Sequence, residues 1–220
     1  METEKEAKKI LIIRAGDMGL EGQECDMIMS QSILYGMDVQ NFIPKDNNEL
    51  LQFFDGNSVQ YDYIYLSAHG NDIGFSSENR TISCSWIEFG EKLCASECMK
   101  EDCIIMLSCC RGGLNQVAYD LFYSCPNISY IIGPRQSLPV DKMLLSFNIF
   151  LYSLERRKID PIVACEKIKH ATDIRFVCFD RLEIEAELGY KMHSLHLDNK
   201  LNKRGAISMI KNFFKKNSNL

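Results

Sequence analysis

The chain has 220 residues, 46% hydrophobic and 25% charged, with net charge −5 and a pI near 5.5. That length holds one sizeable core or at most two small ones. The acidic balance excludes a nucleic-acid surface, since no basic stripe dominates and the Lys/Arg-rich stretches at 200–204 and 211–216 read as short solvated helix faces.

The start, Met1-Glu2-Thr3-Glu4-Lys5-Glu6, is charged and lacks the apolar centre of a signal peptide. No stretch of about 18 apolar residues exists, so no membrane span is expected. These features predict a cytoplasmic chain whose ten cysteines stay reduced. Cys103, Cys165 and Cys178 sit inside apolar patterns and read as small hydrophobes. Cys94, Cys98 and Cys103 lack the paired C-x2-C knuckles of structural zinc sites, so no metal is expected.

In chain order, 8–13 is a β-branched strand bounded by Arg14-Ala15-Gly16-Asp17, and 23–35 is a helix ended by Gly36. A second strand covers 37–43 and closes on Pro44; a short helix follows at 47–54. The third strand is the apolar run Tyr63-Ile64-Tyr65-Leu66-Ser67-Ala68, which stops on His69-Gly70. Turn-rich 72–85 reads as a small hairpin, 86–99 as a helix. The fourth long strand, 102–108, contains Ile104-Ile105-Met106-Leu107-Ser108 and runs into Cys109-Cys110-Arg111-Gly112-Gly113. Gly112 and Gly113 open the helix at 114–123, whose free N–H groups would favour a thiolate. A strand at 128–132 leads to Gly133-Pro134, and helices follow at 140–157 and 161–172, the latter with Pro161 in its first turn. The last 45 or so residues are less regular, with an edge strand at 175–179 and a terminal helix at 206–214. Strand–helix alternation over 8–172 predicts an α/β three-layer sandwich: a mostly parallel central sheet with helices on both faces. No repeat or linker divides the chain, so 1–220 reads as one domain.

Two apolar strands ending on reactive side chains carry the chemistry. Carboxyl ends of neighbouring parallel strands form the ligand crevice of such sheets. His69 and a cysteine at 109 or 110 would face each other across it, as a thiol nucleophile and its imidazole partner require. Successive strand residues point to opposite faces, so only one of the two thiols addresses the crevice. A cysteine thiol titrates near ~8.5 in water and needs an imidazole or helix N-terminus to react quickly at neutral pH.

Leu107-Ser108-Cys109-Cys110-Arg111-Gly112 resembles the caspase x-A-C-R-G signature and the L-S-A-C-x-G of CHAT-type peptidases. Tyr65-Leu66-Ser67-Ala68-His69-Gly70 resembles the apolar run and His-Gly that precede it, at an interval near the caspase value of about 50 residues. Cys25-Asp26 and Leu34-Tyr35-Gly36 resemble the first helix and second strand of the caspase core. Ile131-Ile132-Gly133-Pro134 followed by Val140-Asp141 resembles the CHAT strand, Gly-Pro and helix start, without that family's intervening residue before the aspartate.

This caspase-like, clan CD resemblance spans about 8–172. It implies a cysteine endopeptidase with Cys110 as nucleophile, Cys109 standing where alanine is usual, and His69 as general base and acid. It also implies an oxyanion hole from the backbone N–H groups of Gly70 and Cys110 and no cofactor. The substrate would be a protein. The pocket for the residue before the cut would draw on the loops at 14–22 and 134–141. There Asp17, Glu21 and Asp141 could take a basic side chain, and Arg14 and Arg135 an acidic one. Asp141 reads equally as a helix N-terminal residue. CHAT-like members often carry helical repeats that control them. With none here, a separate regulatory or sensor protein would activate the chain, and a CHAT likeness points to a bacterial host with a role in antiviral defence or cell-death signalling by analogy. The competing readings are a catalytically silent caspase-like scaffold and a flavin or nucleotide binder. The chain lacks both G-x-G-x-x-G and G-x-x-x-x-G-K-[ST] for the latter.

Overall fold

The structure, a computed structural model, describes residues 6–16 and 19–188. Its centre is a six-stranded sheet of β1 (Lys9–Arg14), β2 (Asp38–Phe42), β3 (Tyr61–Ser67), β7 (Met99–Ser108), β8 (Ile128–Pro134) and β9 (Phe176–Asp180), in the order β2-β1-β3-β7-β8-β9. All neighbours are parallel except the β8–β9 pair, which closes the edge antiparallel. Helices α1 (Leu20–Leu34), α2 (Asn47–Asp55), α3 (Trp86–Ser96), α4 (Asn115–Ser124), α5 (Val140–Glu155), α6 (Pro161–Thr172) and α7 (Arg181–Leu188) cover it.

The pleat sorts the strands into two cores. Leu11, Ile13, Ile64, Leu66, Ile105 and Leu107 pack with Leu50 and Phe54 of α2, Phe89 and Leu93 of α3, and Val117 and Phe122 of α4. Their immediate neighbours Ile10, Ile12, Tyr63, Tyr65, Ile104 and Met106 pack with Cys25 and Ile28 of α1, Phe147 and Phe150 of α5, and Ile168 of α6. Strands buried on both faces explain why they read as unbroken apolar runs. The three-layer α/β sandwich expected from the alternation is what the chain adopts.

Helix starts follow local chemistry. Asp46 accepts a hydrogen bond from the Glu49 N–H (2.8 Å), Ser85 from Glu88 (3.1 Å) and Asp160 from Ile162 (2.9 Å), each satisfying a donor the first turn leaves free. Pro161 follows the last of these caps, where its missing N–H costs nothing.

Some expectations differ in detail. The hairpin at 72–85 is a three-stranded sheet, because β4 (His69–Gly70) pairs antiparallel with β5 (Gly74–Ser76), which pairs with β6 (Ser83–Ser85). Helix α3 stops at Ser96, where Glu97 turns left-handed (φ 52°), so β7 begins at Met99. The less regular end contains α7 directly after β9. The helix expected at 206–214 and the basic stretches at 200–204 and 211–216 lie outside the described residues. No helix among the described residues is long and apolar enough to cross a membrane.

Candidate active site

Register carries the two reactive residues to neighbouring strand ends. Strands β3 and β7 are adjacent, with Leu66 opposite Leu107 and Ser67 opposite Ser108. His69 and Cys110 therefore stand the same two residues past the last paired position, on strands about 4.8 Å apart. The connection is tight: the Ala68 N–H donates to the Ser108 carbonyl (3.3 Å), and a Cβ on Gly70 would lie 2.7 Å from the Cys109 Cβ and 3.0 Å from the Cys110 carbonyl oxygen. Only glycine at 70 allows that approach.

The small sheet holds His69 in place. Phe75 of β5 packs on Trp86 (ring centroids 5.3 Å) and Phe89 (5.2 Å), and the Trp86 Nε1–H donates to the Asn71 carbonyl at 2.9 Å. Burying such rings contributes about 1.5–3 kcal/mol each, enough to fix the segment that follows His69. A depression of about 330 Å³ opens there, lined by His69, Gly70, Asn71, Phe75, Ser76 and Ser83 among others.

The two thiols differ sharply. Cys109 is fully buried on the face shared with Leu107 and points its Sγ at the Leu66 carbonyl (3.6 Å). Burial holds its thiol well above the ordinary range. Cys110 is partly exposed, and among the described residues its backbone N–H meets no hydrogen-bond acceptor. Arg111 follows in the left-handed region (φ 63°), a costly conformation for a side-chain-bearing residue that makes the sharp turn after the thiol.

One expectation is corrected. Gly112 and Gly113 do not open the helix, which begins at Asn115 after the cap Leu114. Their N–H groups are also engaged, with the Cys109 carbonyl (3.0 Å) and the Pro134 carbonyl (2.8 Å), so neither is free to favour a thiolate. The glycines serve close packing instead. A Cβ on Gly113 would lie 2.2 Å from the Gly133 carbonyl oxygen, and one on Gly112 2.7 Å from the Leu107 Cβ. Gly113→Ala should therefore lower stability by about 1–3 kcal/mol, read from the urea unfolding midpoint, because backbone rather than a flexible side chain must move.

Glu21 lies beside the imidazole. Its Oε1 is 3.5 Å from His69 Nδ1, an ion-pair distance slightly long for a hydrogen bond. Gly16, at the end of β1, makes room: a Cβ there would meet Glu21 Oε2 at 1.8 Å and the Ala68 Cα at 3.3 Å. One helical turn on, Glu24 is 2% exposed and accepts hydrogen bonds from Tyr65 Oη and Ser108 Oγ. Burial pushes its carboxyl up to about 7, against those two hydrogen bonds, which favour the ionised form. Neither role was legible in the sequence. The spacing of Glu21 and Glu24, three residues apart on a helix after the first strand, was the available signal.

The other candidates are dispersed. Asp17 lies outside the described residues. Arg14 is 7% exposed and its guanidinium bonds Asn41 Oδ1 (2.7 Å), Asp26 Oδ1 (2.5 Å) and the Gly22 carbonyl, which leaves it engaged within the protein. Arg135 donates to Asn115 Oδ1 (3.2 Å), and the Arg111 N–H donates to the neighbouring Gln136 carbonyl (3.4 Å), so this loop borders the Cys110 turn. Asp141 is exposed in the first turn of α5, the helix N-terminal position. Cys94, Cys98 and Cys103 do not converge, and no metal-ligating cluster occurs among the described residues.

No family model matches the chain, and no curated protein does. Among 23 solved chains that match is a secreted C11 cysteine protease, "iotapain", from Bacteroides thetaiotaomicron. The two share 12% identity at a TM-score of 0.55, over 84% of this chain and 71% of that one. The likeness is one of fold: in this chain the shared α/β sandwich brings His69 and Cys110 to neighbouring strand ends.

Proposed function

We propose that the chain is a cysteine endopeptidase acting through Cys110 and His69. The carrying observation is the β3–β7 register, which sets a part-exposed thiol and an imidazole equally far past paired strand ends. The fold of a cysteine protease supports it.

In this reading His69 takes the proton from Cys110 Sγ as the sulfur attacks the carbonyl carbon of the scissile peptide bond. The oxyanion forms against the N–H groups of Gly70 and Cys110. His69 then protonates the leaving amine, giving a thioester on Cys110. Water deprotonated by His69 hydrolyses that thioester and restores the thiol. Glu21 acts as a positioning residue, holding the imidazole from its Nδ1 side. Glu21→Gln should lower kcat on the order of tenfold with little change in KM. That is far less than the ~10⁴ of a buried triad carboxylate, because this pair is 3.5 Å apart and part-exposed.

CHAT-like regulation, a cytoplasmic setting, an activating protein partner and a role in bacterial antiviral or cell-death signalling belong to the same proposal, resting on motif likeness alone. The test is labelling with a library of peptide acyloxymethylketones, followed by mass mapping of the modified cysteine. Adducts confined to Cys110 and lost in His69→Ala support the reading. Adduct on Cys109, or a biological effect indifferent to His69→Ala, would favour the silent scaffold.

A further inference from the structure

A second cysteine pair lies at the far end of the sheet from the dyad. Helix α3 leads into β7 and α4 into β8, so their carboxyl-terminal turns sit by the amino-terminal ends of those strands. The two helices approach closely: a Cβ on Gly90 would fall 2.0 Å from Ser124 Oγ and 3.1 Å from Ser124 Cβ. One turn along α3 from Gly90 is Cys94, and the residue after Ser124 is Cys125. The same approach packs both cysteines into one cluster and sets their thiols close enough to influence each other, with Cys94 partly exposed and Cys125 buried.

Arg181 from the start of α7 anchors the site. Its Nε donates to the Ile128 carbonyl (2.6 Å), Nη1 to the Phe122 carbonyl (3.0 Å) and Nη2 to the Cys125 carbonyl, with its guanidinium over the Phe122 ring at 4.6 Å. These bonds clamp the backbone that carries Cys125. A cleft of about 690 Å³, lined by Pro126, Asn127, Arg181 and Glu185 among others, opens beside it.

We propose that Cys94 and Cys125 form an oxidisable dithiol, converted to an intramolecular disulfide by hydrogen peroxide. The Cys94 sulfur attacks the peroxide oxygen, the O–O bond breaks, and Cys94 becomes a sulfenic acid with release of water. The Cys125 sulfur then attacks the Cys94 sulfur, the S–O bond breaks, and a second water leaves. Two thiols are oxidised by two electrons and one peroxide is reduced to two waters. The neighbouring Cys125 thiol, then the Arg181 charge, hold Cys94 down to about 7 against its partial burial and Glu91. That supplies thiolate at neutral pH for the first step. Cys125, held well above the ordinary thiol range by burial, stays a thiol until it resolves the sulfenic acid. The bond would staple α3 to the end of α4, independently of any role for Cys110.

The test treats the full chain with equimolar hydrogen peroxide and maps it by mass spectrometry without reduction. Expected is one linked peptide joining 94 to 125, lighter by two hydrogens and reversed by dithiothreitol. It should form at least tenfold faster than oxidation of the buried Cys103 or Cys165. In Cys125→Ser the sulfenic acid should accumulate on Cys94 and be trapped by dimedone, and Cys94→Ser should leave Cys125 unoxidised. Failure to recover the linked peptide from the wild-type chain would overturn the proposal. So would a dimedone adduct on Cys94 as abundant in the wild type as in Cys125→Ser.

Discussion

Cys110→Ala is expected to abolish peptide-bond cleavage, with kcat falling by at least about 10³, because in the proposed mechanism it removes the nucleophile of every covalent step. Cys109→Ala should keep turnover within a few-fold. The Cys109 sulfur is sealed in the core against the Leu66 carbonyl and cannot reach a substrate in the crevice. His69→Ala should cost a similar factor to Cys110→Ala, and the double variant little more, since the two act as one unit. The measurement is hydrolysis of a peptide that the labelling library has shown to react. Full turnover in Cys110→Ala, or loss confined to the Cys109 variant, would overturn Cys110 as the nucleophile.

The largest effect on stability is expected at Glu24. Its carboxyl is lifted from the ordinary 4.5 to about 7, chiefly by burial. Between those values the folded chain holds a proton that the unfolded chain has released. Stability therefore falls as pH rises through this window. The bound on the loss is about 3 kcal/mol from a shift of that size. Glu24→Gln, neutral at every pH, should flatten this part of the profile. The difference in unfolding free energy between wild type and variant, measured by urea at pH 4.5 and 7.5, isolates it from other carboxylates such as Glu155, which Lys8 and Tyr63 hold low. A difference that does not change with pH would show that Glu24 titrates alike in the folded and unfolded chain and would overturn the shift. Because Ser108 Oγ donates to Glu24 and stands two residues before Cys110, the same titration acts directly behind the thiol turn.

Much of the fold was readable because parallel strands buried on both faces leave continuous apolar runs, and Gly, Pro and capping residues mark where they stop. Strands β1, β3 and β7 and helix α6 were visible in this way. The weaker elements were not. β4 has two residues and exists only because Gly70 lets His69–Gly70 lie against Cys109–Cys110 and pair with β5. Helix α4 starts after the two glycines because their N–H groups bond the Cys109 and Pro134 carbonyls, partners supplied by the turn and by β8 rather than by the helix.

Read alone, the sequence determined the sandwich and the pairing of a His-ended strand with a Cys-ended one, since hydrophobic period and strand-end chemistry are local properties. It also narrowed the thiol choice, because residues on successive strand positions must face opposite ways. Tertiary structure alone decided which of the two thiols is buried, that Glu21 stands beside His69 across the gap left by Gly16, and that Arg14 is engaged by Asn41, Asp26 and Gly22. It alone brought Cys94 and Cys125 into one packed cluster. Those contacts depend on how helices and loops pack over the sheet, where a few ångströms of approach at Gly16, Gly70 and Gly90 separate contact from clash. No pattern along the chain records such distances.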